Sequence, residues 1–293
     1  MSSPLGSFLL PDGFAGPSGV RALAREASTL TEAARLLRRT RTDRRARSVL
    51  PYAGPHRVVA HDPVVLVPGF MAGDSTLRAM AAFLRREGFR TYRSRIHVNV
   101  GCTRDAGDRL EQRLESIAVK RGRKVTIVGH SLGGMLARGV AARRPDLVEG
   151  IVALGSPVLA PGAVHRLLAW DAQLLTRLNT AGLRGLMSAD CFGGECARVS
   201  WEESRLQLDP QVAFTAVYSR RDGIVDYRAC LDPAARHVEV TTSHCGMAVD
   251  PVVMDHVLAA LRAQQAVRAE ELSRATRQAA PLDEVGSLRV ARR

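Results

Sequence analysis

The residues of this chain that could perform nucleophilic catalysis are a serine, an aspartate and a histidine, each just after a predicted strand. The serine is Ser131, in the pentapeptide Gly-His-Ser-Leu-Gly at 129–133. A β-branched run at 125–128 precedes it, and helix-favouring residues at 135–142 follow. This G-x-S-x-G pattern is typical of a tight strand-to-helix turn in which side chains at Gly129 or Gly133 would collide with neighbouring backbone. The pattern predicts Ser131 as a nucleophile.

A serine hydroxyl is a weak nucleophile near neutral pH, so Ser131 needs a histidine as its general base. Among the eight histidines, His244 lies in the loop after the last predicted strand. In a parallel sheet that loop lies at the same edge as the Ser131 turn. The neighbouring His130 is expected to point away from Ser131 and to be structural. We therefore predict His244 as the base.

The acid that orients the histidine should follow the preceding strand, where the chain reads Ser-Arg-Arg-Asp-Gly-Ile-Val-Asp at 219–226. Asp222 stands at the strand end and could accept the hydrogen bond that fixes the histidine tautomer. Asp226, nearer the following helix, is a rival. Asp222 could instead be a turn carboxylate paired with Arg220 or Arg221. We favour Asp222 as the acid, which gives the chain order serine, aspartate, histidine.

A third requirement is a pair of backbone N–H groups that stabilise the oxyanion formed in the transition state. One should belong to Leu132, the residue after the nucleophile, where the helix dipole also favours negative charge. The other should come from the loop after the first core strand, which reads Pro-Gly-Phe-Met-Ala-Gly at 68–73. In that loop Phe70 is the predicted donor.

The elements that must position these residues alternate between strand and helix. Helices are predicted at 76–87, 105–121, 135–142 and 251–265, and short apolar strands at 64–67, 91–96, 125–128, 150–154, 213–218 and 237–241. This alternation predicts an α/β fold, with a mainly parallel sheet of about six strands and helices on both faces. The alternation stops at about 157–210, which is too long for a plain loop and predicts an inserted helical cap.

These motifs, in this order and spacing, resemble the α/β-hydrolase superfamily, particularly its small bacterial lipase and esterase branch. The motifs are VVLVPGF, VGHSLGG, YSRRDGIVD and SHCGM, within about residues 60–265. The resemblance implies hydrolysis of a small-molecule or lipid carboxylic ester through an acyl-serine intermediate. It implies neither a metal nor an organic cofactor. Many members carry His-Gly where this chain has Pro68-Gly69, a departure in the oxyanion loop.

Two alternatives to ester hydrolysis are considered. An acyltransferase would use the same acyl-enzyme if the cap excluded water. A binding protein on the same fold could instead use arginine-rich ends to associate with a membrane, although the full set of three catalytic residues argues against it. The leucine-rich stretch at 165–186 could form a lid over an acyl pocket or simply pack as cap helices.

The two ends of the chain differ from the predicted catalytic domain at 61–265. The formal net charge is +13, and residues 1–60 contain ten arginines against four acids. We expect an N-terminal extension over 1–60 with a helix at 20–39, and a flexible basic tail over 266–293. The arginines could attract an anionic membrane surface or be merely solvated. Nucleic-acid binding is not favoured, because aromatic residues are not interleaved with the arginines.

The remaining sequence signals concern location and cysteine chemistry. Neither a secretory signal nor an apolar run of membrane-spanning length is evident, so a cytoplasmic protein, peripheral to a membrane at most, is expected. The cysteine spacing does not match a zinc finger. Disulfides could join Cys191 to Cys196 and Cys230 to Cys245, and reduced thiols are the alternative. Oligomeric state is not predicted.

Overall fold

The centre of the molecule is a six-stranded, wholly parallel sheet. The computed structural model describes residues 6–49 and 62–279, with side chains at 6–43 and 62–277. In the sheet the strand order is β2-β1-β3-β4-β5-β6, which confirms the predicted fold class. The strands are β1 (Pro63–Val67), β2 (Arg90–Arg93), β3 (Val125–His130), β4 (Val148–Leu154), β5 (Ala213–Ser219) and β6 (Arg236–Val240).

Helices surround this sheet. Within the described ranges they are α1 (Val20–Glu26), α2 (Thr29–Val49), α3 (Arg78–Arg86), α4 (Thr103–Arg121), α5 (Leu132–Arg143), α6 (Arg166–Thr180), α7 (Ala189–Gly193), α8 (Glu195–Ser204) and α9 (Pro251–Ala279). None of the described helices is long and apolar enough to cross a membrane.

Both faces of the sheet are covered because the strands are apolar on both sides. Along β1, Val64 and Leu66 pack into one cluster with side chains of α3 and α9. Val65 and Val67 pack into the other, with side chains of α4 and α5. Every residue of β1 is buried, as expected for a central parallel strand.

The ends of the chain depart from expectation in two places. The single helix predicted at 20–39 is broken at Ala27–Ser28 into α1 and α2, and α2 continues to Val49. The last helix continues to Ala279, so residues 266–279 are helical where a flexible tail was expected. Its extra turns are held to the sheet because Arg268 pairs with Asp62 and Glu149. The predicted boundary at 60/61 and the tail beyond 279 lie outside the described residues.

Three helices lie in the region predicted as a cap, between β4 and β5. The α6 helix begins after His165, whose ring accepts a hydrogen bond from Leu167 N at 3.2 Å. The α7 helix begins after Ser188, whose hydroxyl accepts one from Cys191 N. These side-chain caps satisfy N–H groups that a helix leaves unpaired at its start.

Candidate active site

The turn between β3 and α5 holds Ser131 in a conformation that is rare for a residue with a side chain. Its φ is 52° and its ψ −123°, a positive φ that carries a steric cost. A Cβ at Gly129 would lie 2.5 Å from Gly133 C, and one at Gly133 would lie 2.2 Å from Val67 O. Both glycines are therefore required for this turn, as the sequence predicts.

Asp222 and His244 meet at the carboxyl edge of the sheet. His244 Nδ1 and Asp222 Oδ2 are 2.7 Å apart, and both side chains are buried. Asp222 Oδ1 accepts hydrogen bonds from Ile224 N at 2.8 Å and Val225 N at 2.7 Å. With the carboxylate at Nδ1, that nitrogen carries the ring proton and Nε2 is left as the basic nitrogen.

The electrostatic environment of His244 favours its protonated form. Burial lowers the pKa of His244, but the charge and hydrogen bond of Asp222 outweigh burial, with a smaller contribution from Glu26. The pKa of His244 is therefore raised above its ordinary value. A base with a raised pKa accepts a proton more readily from a weak acid such as a serine hydroxyl.

The rival carboxylate, Asp226, has different partners. Its side chain caps the short 3-10 helix Tyr227–Cys230 and pairs with Arg228, with 2.7 Å between Arg228 Nη2 and Asp226 Oδ2. It also accepts a hydrogen bond from Ala15 N at 3.3 Å. Among the described residues, no hydrogen bond joins Asp226 to a histidine. The geometry therefore separates two carboxylates that the sequence leaves as competitors.

His130, next to the serine, contacts the loop that carries His244. Its Nε2 lies 3.0 Å from His244 O, and the two ring centroids are 4.8 Å apart. Burial, with a smaller contribution from the nearby His244, lowers the pKa of His130 to about 4. His130 is thus neutral at ordinary pH and donates from Nε2 to the His244 carbonyl, in keeping with a structural role.

Ser131 lies at the same edge of the sheet as this acid–base pair. Its N–H donates to Leu154 O at 2.8 Å, which ties the turn to β4. Within the described ranges, no hydrogen bond links Ser131 Oγ to the His244 ring in this conformation. Such bonds are often long in free enzymes and shorten when substrate binds. The structure therefore forms the Asp222–His244 pair and places Ser131 on the adjacent turn.

The two predicted oxyanion donors, Phe70 and Leu132, border one cavity together with Ser131. Leu132 is the first residue of α5, so its N–H has no acceptor inside the helix. In the part of the chain that the structure describes, neither the Phe70 N–H nor the Leu132 N–H donates to another protein group. Both donors are thus free for a ligand in this cavity.

The loop that carries Phe70 is held by Asn99, a residue that sequence reasoning missed. Asn99 Nδ2 donates to Pro68 O at 3.1 Å, and Asn99 O accepts from Met71 N at 3.0 Å. Asn99 itself is buried. These contacts enclose the backbone of Phe70, so they fix the direction of its N–H. The only sequence signal is the Asn-Val-Gly stretch at 99–101, which does not indicate a long-range contact.

The cavity has a volume of about 180 Å³ and lies between the catalytic domain and the cap. Its walls are mostly apolar. The α5 helix contributes Met135 and Leu136, and α6 contributes Leu168, Ala169 and Ala172. The serine hydroxyl therefore faces a space suited to an apolar group rather than open solvent.

Comparison with known proteins decides the family. The alpha/beta hydrolase family profile matches residues 64–286, about three quarters of the chain. The chain belongs to the alpha/beta hydrolase family. A triacylglycerol lipase of Vibrio cholerae is 37% identical over 100 residues, which make up 32% of this chain and 31% of that lipase. The match thus spans about a third of the length of this curated relative.

Solved structures show the same fold at low sequence identity. The mature Bacillus licheniformis lipase BlEst2 superposes with a TM-score of 0.53 at 16% identity, covering 72% of this chain and 95% of that one. A structure titled for two metagenome-derived lipolytic enzymes, LipS and LipT, has a TM-score of 0.50 at 18% identity, covering 73% and 99% of the respective chains. These similarities establish the fold of this chain.

The N-terminal helices contact the loops that carry Asp222 and His244 directly, which the sequence does not reveal. The carboxylate of Glu26, at the end of α1, accepts hydrogen bonds from the N–H groups of Gly223, His244 and Cys245, at 2.9 to 3.0 Å. It therefore joins the loop that carries Asp222 to the loop that carries His244.

A second carboxylate on α2, that of Glu32, is fully buried against the same region. It accepts hydrogen bonds from Ser243 N at 2.9 Å and from Ser243 Oγ at 2.6 Å. Ser28 Oγ donates to it at 3.0 Å. A buried carboxylate needs such partners, because an uncompensated charge away from water is costly. The arginine-rich extension therefore packs on the catalytic domain through two acids.

All five cysteines are free thiols in the structure. Cys230 is buried and Cys245 exposed, and neither is bonded to the other. Cys191 and Cys196, the second pair considered from the sequence, instead lie beside Cys102. Cys102 comes from the core, about ninety residues earlier, so spacing along the chain does not predict this group.

Proposed function

We propose that this hydrolase cleaves carboxylic esters through an acyl-serine intermediate formed on Ser131. The observation that carries the proposal is the buried His244–Asp222 hydrogen bond at the sheet edge where the strained Ser131 turn lies. That bond leaves Nε2 of His244 as the base for the serine proton. The Vibrio cholerae relative, named as a triacylglycerol lipase, adds support for an ester substrate.

The proposed reaction has two halves. Ser131 Oγ attacks the ester carbonyl while its proton passes to His244 Nε2, and the N–H groups of Phe70 and Leu132 stabilise the oxyanion. The tetrahedral intermediate then expels the alcohol, which takes the proton from His244. In the second half, water loses a proton to His244 and attacks the acyl-serine; the acyl–oxygen bond then breaks, His244 returns the proton to Ser131 Oγ and the acid is released. Asp222 stays ionised throughout and holds the ring of His244.

The substrate class follows from the cavity beside Ser131. Its walls are mostly apolar and come from both the catalytic domain and the cap, so we propose an ester with an apolar acyl group, including lipid esters. Acyl transfer to an alcohol would use the same acyl-serine, and an added alcohol acceptor would reveal it as ester product.

The experiment is active-site labelling combined with turnover of an ester panel graded by acyl length. A fluorophosphonate should label the protein at Ser131, as mapped by mass spectrometry. Ser131→Ala should lose labelling and at least about 10³-fold in kcat, because serine is the group acylated. Ser200→Ala, a change at another serine of the cavity wall, should still be labelled at Ser131. Substantial ester turnover by folded Ser131→Ala would remove the serine from its proposed role.

A further inference from the structure

Three cysteine side chains from separate elements converge between the catalytic domain and the cap. Cys102 precedes α4 as its N-cap residue, Cys191 lies in α7 and Cys196 lies in α8. Their three sulfur atoms all lie within 4.8 Å of one another. The Cys102 and Cys196 sulfurs are 3.4 Å apart. The cluster thus joins one core residue to two cap helices.

The number and spacing of these sulfurs fit a metal ion better than a disulfide. A disulfide uses two sulfurs and leaves the third without a role. Thiolates bind Zn²⁺ at about 2.3 Å, so sulfurs on one tetrahedral ion lie about 3.8 Å apart. The three sulfurs could reach that separation through small side-chain movements. Soft thiolate ligands select zinc and similar ions over hard cations such as Mg²⁺.

The surroundings of the cluster also favour bound thiolates. Cys102 stands at the start of a 19-residue helix, where the dipole stabilises negative charge. The hydroxyl of Ser188 lies 3.3 Å from Cys191 Sγ and can donate to it. Metal binding displaces the protons of thiol ligands.

We propose that Cys102, Cys191 and Cys196 form a Zn²⁺ site that fastens the cap to the catalytic domain. Binding converts three thiols into thiolates and releases three protons to solvent, giving a complex of net charge −1. With three protein ligands, Zn²⁺ keeps a fourth position for water or another ligand. Cys191 and Cys196 also border the cavity beside Ser131, so the ion would hold one wall of that cavity in place.

The test is metal binding by the full chain, measured without any ester. This choice makes the result independent of the proposed hydrolysis. The protein is reduced, stripped of metal with a chelator, transferred anaerobically to plain buffer and titrated with Zn²⁺ against a chromophoric chelator. We expect one Zn²⁺ per chain, about three protons released per ion and a higher unfolding temperature. Co²⁺ in place of Zn²⁺ should give a thiolate-to-metal charge-transfer band.

Variants separate the cluster from the other cysteines. Cys102→Ser and Cys196→Ser should each weaken Zn²⁺ binding at least about 100-fold. Each change removes a metal ligand, which should lower the affinity more than the loss of a residue that only supports a ligand. Cys245→Ser changes an exposed cysteine outside the cluster and should bind Zn²⁺ normally. Circular dichroism checks that each variant is folded, and the Co²⁺ spectrum of the unaltered protein counts thiolates without any substitution.

Three results would overturn the zinc site. The first is that the reduced, unaltered protein binds less than one Zn²⁺ per chain at micromolar concentrations. The second is that binding is unchanged in Cys102→Ser and Cys196→Ser. The third is that peptide mapping of the purified protein finds a disulfide within the cluster while the reduced protein binds no Zn²⁺. That last result would mean that the cluster forms a disulfide and not a zinc site.

Discussion

Asp222 and Asp226 are four residues apart in one loop, yet their carboxylates face different partners. Asp222 bonds to the His244 ring and to two backbone N–H groups, whereas Asp226 pairs with Arg228. The sequence narrows the candidates for the carboxylate that orients His244 to these two, because both follow the end of a strand. It favours Asp222, which stands at the strand end, but the outcome depends on the path of the loop at 222–226 relative to a histidine 22 residues away.

The first prediction compares these two carboxylates. Asp222→Asn should lower kcat about 10³- to 10⁴-fold, because the amide cannot hold the same tautomer of His244. The base must be neutral to act, so activity falls as pH drops through the pKa of His244, which Asp222 raises. In Asp222→Asn the midpoint of residual kcat/KM against pH should therefore shift to lower pH.

Asp226→Asn serves as the control for that comparison. It removes the charge partner of Arg228 and should lower the unfolding temperature while kcat stays within a few-fold of the unaltered enzyme. If Asp226→Asn were the more damaging change to kcat, the acid assignment would move to Asp226.

At the scale of elements, the central strands β1, β3 and β4 were predictable because each is a short, mostly buried apolar run. Their observed ends differ from the predicted ones by no more than three residues. The break between α1 and α2 was not predictable. It lets Glu26 and Glu32 approach loops about 200 residues away, and helical periodicity carries no information about such contacts. Sequence periodicity likewise does not indicate the long-range contacts of Asn99 or the grouping of Cys102 with the cap cysteines.

The second prediction concerns the two N-terminal carboxylates as positioning residues. Burial lowers the pKa of His244, and Asp222 is the strongest influence that raises it. The charge of Glu26 also raises it. Glu26→Gln should lower kcat/KM about tenfold and move the midpoint of its pH profile to lower pH. Its amide can no longer accept all three N–H groups from the acid and base loops.

Glu32→Gln is the matched comparison, because Glu32 bonds Ser243 in the same loop, whereas Glu26 accepts the N–H of His244 itself. It should lower the unfolding temperature through the weakened contacts with Ser243 and leave the pH midpoint in place. Equal midpoints in Glu26→Gln and the unaltered enzyme would show that Glu26 is only a structural contact.

At the scale of the whole molecule, part of the positive charge forms ion pairs within the fold. Arg35 pairs with Asp250 and Arg39 with Asp255, so two arginines of α2 hold that helix to α9 and the loop before it. Other arginines of α2, among them Arg38, are exposed. Attraction of this surface to anionic membranes stays a prediction, and screening by salt would weaken it.

The outer face of the cap differs from that charged surface because it is apolar. Leu167, Trp170 and Leu174 recur at helical spacing on α6 and are 41%, 57% and 55% exposed. The same helix lines the cavity beside Ser131 through Leu168, Ala169 and Ala172. A cap helix with apolar residues facing both solvent and the cavity would suit a substrate presented at a lipid surface.

The third prediction tests that use of the cap. Trp170→Ser combined with Leu174→Ser should reduce hydrolysis of an emulsified long-chain ester about tenfold, because both changes remove apolar surface that would contact the emulsion. Hydrolysis of a water-soluble short-chain ester should stay within about twofold, since neither side chain is needed at Ser131. Val119→Ser, at a side chain of α4 that is 80% exposed, removes apolar surface elsewhere and should affect neither substrate. An equal loss on both esters would mean that the α6 face supports the packing of the cap and not contact with a lipid surface.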